Sequence, residues 1–264
     1  MAPAGRPNQL RYSSSMAILD DLAAAWRRAR RPVVLTGAGL STASGIPDFR
    51  SPGGRWSSYQ PVTIQEFESS AEARAEYWRY KGETWRVIER AEPNPAHRSL
   101  RVLADTGHLD LLVTQNVDGL HERSGFPEDR LVNIHGTDSA TQCLDCGRRE
   151  PRGRAQKLWE DVGDVPRCDC GGWLKPATIS FGQSLVMADL SRAFQAAQGC
   201  DFFAAIGTSL VVAPIHQMLP LAVDAGAQTA ILTASETPFD DAADWKLSDP
   251  VQDLLPAIAD LVAA

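Results

Sequence analysis

The sequence has no long apolar run and no excess of basic residues, and each shortage excludes a class of protein. No window approaches the roughly 18 consecutive apolar residues that a membrane-spanning helix needs, and there is no apolar core of a secretory signal peptide. The formal net charge of -7 at pH 7 disfavours binding to nucleic acid through its phosphates. We therefore expect a soluble, cytoplasmic protein that binds neither membrane nor nucleic acid.

Cysteine is also scarce, with five residues among 264. Without a signal peptide, five cysteines indicate metal ligands or free thiols rather than disulfides. A cluster of arginines (Arg27, Arg28, Arg30 and Arg31) ends a helix predicted over 16–30, where cations complement the helix dipole better than they suggest a binding patch. We interpret residues 1–15 as a disordered tail and not as a transit peptide, because the stretch is short and has no clear amphipathic period.

Strand-like and helix-like segments alternate along the chain. The predicted strands are 31–39, 109–114, 131–134, 201–208 and 229–233, and the predicted helices are 16–30, 69–90, 94–107, 185–198, 214–225 and the tail from 249. This alternation indicates an α/β fold with a Rossmann-like, doubly wound parallel sheet. Ligands of such sheets bind beyond the carboxyl ends of the strands, so residues that directly follow strands are the candidates for a site.

Local signals set some of the boundaries. Ser69 and Glu72 have the spacing of a capping box that would begin the second helix. Asn94 is predicted to cap the next helix, with Pro95 in its first position. Pro256 is expected to bend or break the last helix. The segment 143–172 is polar and rich in turn residues, and we expect it to be organised around its cysteines.

The first strand leads into a glycine loop, which we expect to open onto a helix. Gly37, Ala38 and Gly39 would let the backbone approach a pyrophosphate. The third glycine of the dinucleotide fingerprint is missing, because Thr42 stands there, and no acidic residue follows about 20 residues later. These absences exclude an ordinary NAD dehydrogenase. On this stretch alone, a nucleotide site and a plain turn from a strand into a helix both remain open.

Two more loops follow predicted strands. Gln115, Asn116 and Asp118 suit a sugar and a carboxamide, although a turn capped by Asn and Asp would use the same residues. His135 stands at the end of the third strand. A lone histidine is more often structural than catalytic, but its near-neutral pKa also suits an imidazole to remove a proton from a hydroxyl group.

The cysteines form two pairs, Cys143 with Cys146 and Cys168 with Cys170. Two pairs at such a separation indicate a tetrahedral structural zinc site. The second pair has the spacing CxC, which leaves Cys170 as the favoured fourth ligand and Asp169 as the alternative. A redox pair is a second interpretation, but nothing in the local pattern supports it. Cys200 is expected to lie in the core.

The runs GAGLSTASGIPDFR (37–50), TQNVDGLH (114–121), KPATISFG (175–182) and GTSL (207–210), with the His-Gly pair at 135–136, resemble the motifs of the sirtuins. The resemblance extends from about residue 31 to the end. It is closest to the class II, mitochondrial-type branch, because of the run 94–97, the aromatic pair at 77–78 and the segment CLDCG (143–147). Sirtuins are NAD-dependent lysine deacylases, so the resemblance implies this activity and acyl-lysine proteins or peptides as substrates.

The resemblance also assigns roles to residues. The implied NAD-binding residues are Gly37, Ala38, Gly39, Ser44, Ile46, Asp48, Phe49, Arg50, Gln115, Asn116, Asp118, Gly207, Thr208, Ser209 and Thr233. Phe49 would shield the reacting ribose carbon, and Ile46 would lie beside the nicotinamide. The implied catalytic residues are His135, as the general base, with Asn116 and Asp118. NAD would be consumed, and nicotinamide, free lysine and O-acyl-ADP-ribose would be released.

The remaining implied residues concern the substrate and the metal. Thr178, Ile179, Ser180 and Phe181 would pair with the acyl-lysine peptide as an added strand, although these residues alone would predict an ordinary strand. The zinc ligands would be Cys143, Cys146, Cys168 and Cys170, and the ion would be structural. The sequence departs from the family at Gln183, where Glu is usual, at Thr233, where Asn is usual, and in the CxC spacing.

We expect an NAD-binding domain over 16–52, 94–137 and 183–264, with a helical insertion at 53–93 and a zinc-ribbon insertion at 138–182 forming a small domain. The protein is expected to be a monomer. Two other functions remain open: a protein mono-ADP-ribosyltransferase that uses the same NAD site, and a non-catalytic NAD-sensing module.

Overall fold

The structure is a computed structural model that describes residues 16–48 and 59–264. The predicted tail at 1–15 and the predicted NAD residues Phe49 and Arg50 lie outside the described residues. The helices are α1 (Met16–Arg28), α2 (Ile64–Ser69), α3 (Ala71–Arg90), α4 (Pro95–Asp105), α5 (Leu120–Arg123), α6 (Arg152–Val162), α7 (Met187–Gly199), α8 (Met218–Asp224) and α9 (Val251–Ala263). The strands are β1 (Pro32–Thr36), β2 (Leu111–Thr114), β3 (Leu131–Asn133), β4 (Gly136–Cys143), β5 (Arg149–Pro151), β6 (Leu174–Thr178), β7 (Phe202–Ile206), β8 (Gln228–Leu232) and β9 (Trp245–Leu247).

Six strands form a parallel sheet in the order β3-β2-β1-β7-β8-β9. Numbered along the chain within this sheet, the order is 3-2-1-4-5-6, which is the Rossmann order. The chain reverses its direction of winding between β1 and β7, and this is where such sheets bind ligands. The predicted α/β fold with a Rossmann-like sheet is confirmed.

Both faces of this sheet are covered, which explains why its strands are continuous apolar runs. Alternate strand residues such as Val34, Leu112 and Phe202 face a cluster formed with α1, α4 and α9. Their neighbours, such as Val33 and Phe203, face a second cluster formed with α7 and α8. Packing on both faces holds the strands in place, so the loops beyond the carboxyl edge of the sheet have fixed starting points.

A three-stranded antiparallel sheet has the order β5-β4-β6, and the four paired cysteines lie at the end of β4 and in the segments after β4 and before β6. It shares an apolar cluster with α2, α3 and α6, in which the indole nitrogen of Trp78 donates to the carbonyl of Leu174 at 3.0 Å. The buried carboxylate of Asp138 accepts from Lys81 at 2.8 Å and from Arg152 at 3.4 Å. Burial alone would raise the pKa of Asp138, but these two cations hold it below its usual value.

Several boundary predictions were wrong. The capping box that begins α2 pairs Thr63 with Glu66, and Ser70 caps α3 by accepting from the backbone N–H of Ala73 at 3.1 Å. Helix α9 continues without a break through Pro256. The polar segment 143–172 contains helix α6, and strand β9 was also missed. The start of α4 was predicted correctly, because the side chain of Asn94 caps it directly before Pro95. None of the described helices combines the length and apolar character needed to cross a bilayer.

Gly136 and Gly163 have similar positive φ angles but different surroundings, so their substitutions compare backbone strain with and without a steric clash. Gly136 has φ +74°, and a Cβ there would collide with the carbonyl of Ala177 on β6. Gly163, after α6, has φ +73°, and a Cβ there would meet nothing within 4 Å. We expect Gly163→Ala to lower the free energy of unfolding by about 1–2 kcal/mol through backbone strain. Gly136→Ala should lose about 1–3 kcal/mol more, because the strands must separate. Urea unfolding of both variants measures the difference, and equal losses would contradict the prediction.

Candidate active site

The loops after β1 and β7 cross in close contact at the point where the winding reverses. The N–H of Gly37 donates to the carbonyl of Ile206 at 3.0 Å, and that of Gly39 donates to Gly207 at 2.8 Å. A Cβ on Gly37 would lie 2.8 Å from the carbonyl oxygen of Gly207. Gly207 itself has φ +61°, and a Cβ there would collide with the backbone of Leu40. Only glycines allow this crossing.

The first loop continues as two short 3-10 turns, Ala38–Leu40 and Thr42–Ser44. The expectation that the loop opens onto an α-helix was therefore wrong.

The side chains of Asn116 and Asp118, which follow β2, are both hydrogen-bonded to Ser41 in this first loop. The amide group of Asn116 donates to the carbonyl of Gly37 at 3.1 Å and to the hydroxyl of Ser41 at 3.2 Å. Ser41 in turn donates to the Asp118 carboxylate at 2.7 Å, and the N–H of Leu120 donates to its other oxygen at 2.9 Å. The structure thus brings two predicted catalytic residues together on one buried network.

Ser41 was missed as a functional residue, although it stands inside the glycine run. Serine is common in turns and caps, so its identity carried no distinct signal. Its burial and its position between Asn116 and Asp118 became visible only in three dimensions.

Removing the Ser41 hydroxyl should leave the side chains of Asn116 and Asp118 less firmly held. A hydrogen bond to a charged group contributes roughly 1.5–3 kcal/mol. If Asn116 and Asp118 hold NAD, Ser41→Ala should raise the KM for NAD by about 10- to 100-fold. Thr42→Ala is the control, because the Thr42 hydroxyl donates only to the carbonyl of Gly39 on the exposed side of the loop. Equal KM values for NAD in Ser41→Ala and Thr42→Ala would refute the role of Ser41 in positioning Asn116 and Asp118.

Gln115 joins the loops after β2 and β7 and also holds the candidate base. Its side-chain amide donates to Thr208 Oγ1 at 2.8 Å. Its backbone carbonyl lies 3.1 Å from Nδ1 of His135. A carbonyl can only accept, so Nδ1 carries the hydrogen and Nε2 carries the lone pair. Burial lowers the pKa of His135 below its usual value, and the hydrogen bond to Gln115 only partly opposes this. The imidazole is therefore neutral at pH 7 and able to accept a proton at Nε2.

The other predicted NAD residues surround these loops. The hydroxyl of Ser44 accepts from the side chain of Asn94 at 3.1 Å. Ile46 is buried beside Ile88 and Leu120. Asp48 is the last described residue before the gap. Ala38 lies in the first loop, Ser209 follows Thr208 in the loop after β7, and Thr233 is buried at the end of β8, where its N–H donates to the carbonyl of Leu247 at 3.0 Å.

The predicted substrate segment begins beside His135. Strand β6 ends at Thr178, which pairs with Gly136, and the N–H of Ile179 donates to the carbonyl of His135 at 2.8 Å. Ile179, Ser180 and Phe181 lie beyond the strand, and Phe181 is 52% exposed. Gln183, the departure from the family pattern, accepts from the N–H of Ser180 at 3.1 Å and so stabilises the turn itself.

The four paired cysteines form a cluster suited to zinc. Their sulfur atoms all lie within 4.8 Å of one another, with 3.5 Å between Cys143 and Cys170 and 3.8 Å between Cys146 and Cys168. A tetrahedral ion with Zn–S bonds of about 2.3 Å needs sulfur atoms about 3.8 Å apart. The donor set therefore fits Zn²⁺ with four thiolates. Asp169, the alternative fourth ligand, instead accepts from Arg148 at 2.7 Å.

The Rossmann order and the crossing glycine loops define a dinucleotide-binding α/β protein. A model of the Sir2 family matches residues 37–214, and the chain belongs to this family.

Curated relatives are similar over most of their length. The chain is 39% identical to an NAD-dependent protein deacetylase of Rhodopseudomonas palustris, covering 92% of this chain and 95% of the relative. It is 33% identical to the NAD-dependent protein deacylase SRT2 of Arabidopsis thaliana, covering 89% of this chain and 74% of the relative.

Solved Sir2 structures have the same fold. A complex of Sir2 with a p53 peptide and NAD+ superposes with a TM-score of 0.82 at 32% identity, covering 91% of this chain and 95% of that one. A Sir2 bound to a propionylated peptide gives a TM-score of 0.81 at 31% identity, covering 90% and 95%.

Proposed function

We propose that this chain is an NAD-dependent protein-lysine deacylase that releases nicotinamide, free lysine and O-acyl-ADP-ribose. The proposal rests above all on the two hydrogen bonds of His135. Its neutral imidazole is oriented by Gln115, in the loop that would hold NAD, while its backbone carbonyl binds Ile179, in the segment that would hold the peptide. The named activities of the curated relatives support the same function.

The described residues fit NAD. Where the two loops cross, Gly37, Gly39 and Gly207 have no side chains. The backbone N–H groups of such a loop can approach a pyrophosphate closely. When bound, NAD supplies a ribose carbon from which nicotinamide can be displaced by the acyl oxygen of the substrate. Asn116 and Asp118 would orient the nicotinamide ribose and the carboxamide, and Gln115 and Thr208 would hold ribose or phosphate oxygens.

His135 would act as the general base. Its Nε2 would accept a proton from a ribose hydroxyl group, and the hydrogen bond from Nδ1–H to Gln115 would keep the ring in the tautomer that can do so. Ile179 and Phe181 would flank the lysine stem and the acyl group, while the protein's main contribution would be positioning.

The pH dependence of the reaction should report this base. Only the neutral form of His135 accepts a proton, so activity is full above its pKa and falls as the pH drops through it. Because burial lowers that pKa below 6.5, the acidic limb of the kcat/KM profile should have its midpoint below pH 6.5. A steady-state pH profile tests this, and an acidic limb centred at or above pH 6.5 would contradict it.

The function is tested by incubating the purified protein with NAD and a panel of acyl-lysine peptides, from acetyl to lipoyl, followed by mass spectrometry. Equal amounts of nicotinamide and O-acyl-ADP-ribose would confirm the deacylase and identify its acyl group. ADP-ribose attached to protein would replace it with the mono-ADP-ribosyltransferase. NAD binding without turnover of any peptide would favour the NAD-sensing module.

We propose that Zn²⁺ on the four cysteines is structural, since four protein ligands leave no open position for water. The division into an NAD-binding domain (16–52, 94–137 and 183–264) and a small domain (53–93 and 138–182) is proposed from the motif positions. A monomeric, cytoplasmic protein of the class II type, binding neither nucleic acid nor membrane, remains our proposal.

A further inference from the structure

Two buried histidines lie behind the loops of the candidate active site, and the proposed reaction gives neither of them a role. His97 belongs to α4 and is 0% exposed, and His121 belongs to α5 and is 1% exposed. Their ring centroids are 5.0 Å apart. Burial lowers the pKa of His97 to about 4 and that of His121 well below its usual value, so both rings are neutral. Each ring therefore has one nitrogen that donates and one that accepts.

The neighbouring hydrogen bonds decide which nitrogen is which. The backbone N–H of Asn94 donates to Nδ1 of His97 at 3.4 Å, so the hydrogen of this ring is on Nε2. The hydroxyl of Thr36 donates to Thr114 Oγ1 at 2.8 Å. The 3.1 Å bond between Thr36 Oγ1 and Nε2 of His121 must then use the hydrogen of the imidazole. This leaves Nδ1 of His121 as an acceptor.

The two remaining ring nitrogens are complementary. Within residues 16–48 and 59–264, neither Nε2 of His97 nor Nδ1 of His121 has a hydrogen-bond partner, and both atoms are buried. One is a donor and the other an acceptor, on rings in contact with each other. A buried polar atom without a partner is unfavourable, and a donor and an acceptor on neighbouring rings can both be satisfied by one water molecule between them.

The other nitrogen of each ring is hydrogen-bonded to a residue that leads to a loop of the candidate site, and the two loops are different. On one side, Asn94, which binds His97, also donates from its side chain to the carbonyl of Leu40 at 2.8 Å and to the hydroxyl of Ser44 at 3.1 Å. On the other side, Thr114, which accepts from Thr36, also accepts the backbone N–H of Asn116 at 3.1 Å. A link between the two rings would therefore connect the first loop with the loop after β2.

We propose that His97 and His121 are positioning residues, in which Nε2–H of His97 is linked to Nδ1 of His121 through one buried water molecule, and that this link fixes the loops of Ser44 and Asn116 for NAD. The proposal rests on the proposed function only in naming NAD as the ligand. The tautomers follow from the hydrogen bonds of the protein itself.

The tautomers are tested on the unaltered protein by ¹⁵N NMR with labelled histidine. Both His97 and His121 should be neutral with the hydrogen on Nε2 at neutral pH. Their signals are the two that remain after those of His108, His135 and His216 are each assigned by their loss in a variant of that residue. A hydrogen on Nδ1 of either ring would overturn the proposal. This measurement requires no turnover, so it stands even if the deacylase function fails.

Two variants remove only the central link. His97→Asn retains an acceptor for the N–H of Asn94 but has no group at the Nε2 position. His121→Gln retains a donor for Thr36 but has no acceptor at the Nδ1 position. Each should raise the KM for NAD by about 3- to 10-fold, with the KM for peptide unchanged, and His108→Asn is the control outside the pair.

The double variant decides whether the rings act as one unit. Because the link is lost only once, the KM for NAD in the double variant should be no higher than in the worse single variant. Effects that multiply would show that the two rings act independently and would overturn the proposal. If the variants do not fold, the NMR result on the unaltered protein decides.

Discussion

Replacing His135 by alanine should lower kcat by about 10²- to 10⁴-fold, the usual contribution of a general base. The affinity for NAD should change little, because the groups that would hold it, around Asn116, Asp118 and the glycine crossing, do not depend on the imidazole for their hydrogen bonds. The measurements are steady-state turnover on the best acyl peptide and NAD binding by calorimetry.

A matched variant separates proton transfer from packing. In His135→Asn the side-chain amide can still donate to the carbonyl of Gln115, but nothing occupies the position of Nε2. We expect it to be as inactive as His135→Ala, whereas His108→Ala should be fully active. If His135→Asn kept substantial turnover, the imidazole would be an orienting group and the base would be another residue.

Loss of one zinc ligand should have the largest effect on stability. Structural zinc contributes on the order of 10–16 kcal/mol in small zinc modules, and the four-cysteine cluster joins the segment after β4 to the segment before β6. Cys170→Ser should therefore release the metal and unfold this module, with loss of activity. Metal content by atomic emission and the melting temperature measure both effects, and a chelator should reproduce them in the unaltered protein.

Two controls make the test specific for the CxC spacing. Asp169→Asn removes only a surface ion pair with Arg148 and Arg154, so zinc should remain bound. Cys200→Ser changes a buried thiol that is outside the cysteine cluster and inside the apolar core formed with α7 and α8, so zinc should remain bound here too. If Cys170→Ser retained zinc and Asp169→Asn lost it, the fourth ligand would be the carboxylate and our assignment would be wrong.

Much of this architecture could be predicted because its signals are local. The cap of α4 combines Asn94 with Pro95, and few other conformations suit that pair. The buried strands are short apolar runs with turn residues at both ends, so their positions were found to within a few residues. The glycine loop was predicted from glycines that directly follow a strand, and the structure adds a second reason for them, because a Cβ on Gly37 would lie 2.8 Å from the carbonyl oxygen of Gly207.

The errors arose where a local signal was ambiguous. Thr63 with Glu66 and Ser69 with Glu72 have the same spacing, and only the packing of Phe67 and Trp78 against the cysteine module decides which pair begins a helix. Helix α6 was missed because the cysteines around it dominated the interpretation of 143–172. Ser41 and the pair of His97 with His121 could not be assigned, since their importance depends on contacts between residues far apart in the sequence.

One residue links the two halves of the proposed reaction. The side chain of His135 is tied to Gln115, while its backbone carbonyl is tied to Ile179. Any shift of the peptide segment therefore moves the same residue that the nucleotide loops orient. Such a connection is thermodynamically reciprocal, so a peptide that improves the fit of NAD must itself bind more tightly when NAD is present. Selectivity for the acyl group can thus be expressed as much in the apparent affinity for the dinucleotide as in contacts with the acyl chain.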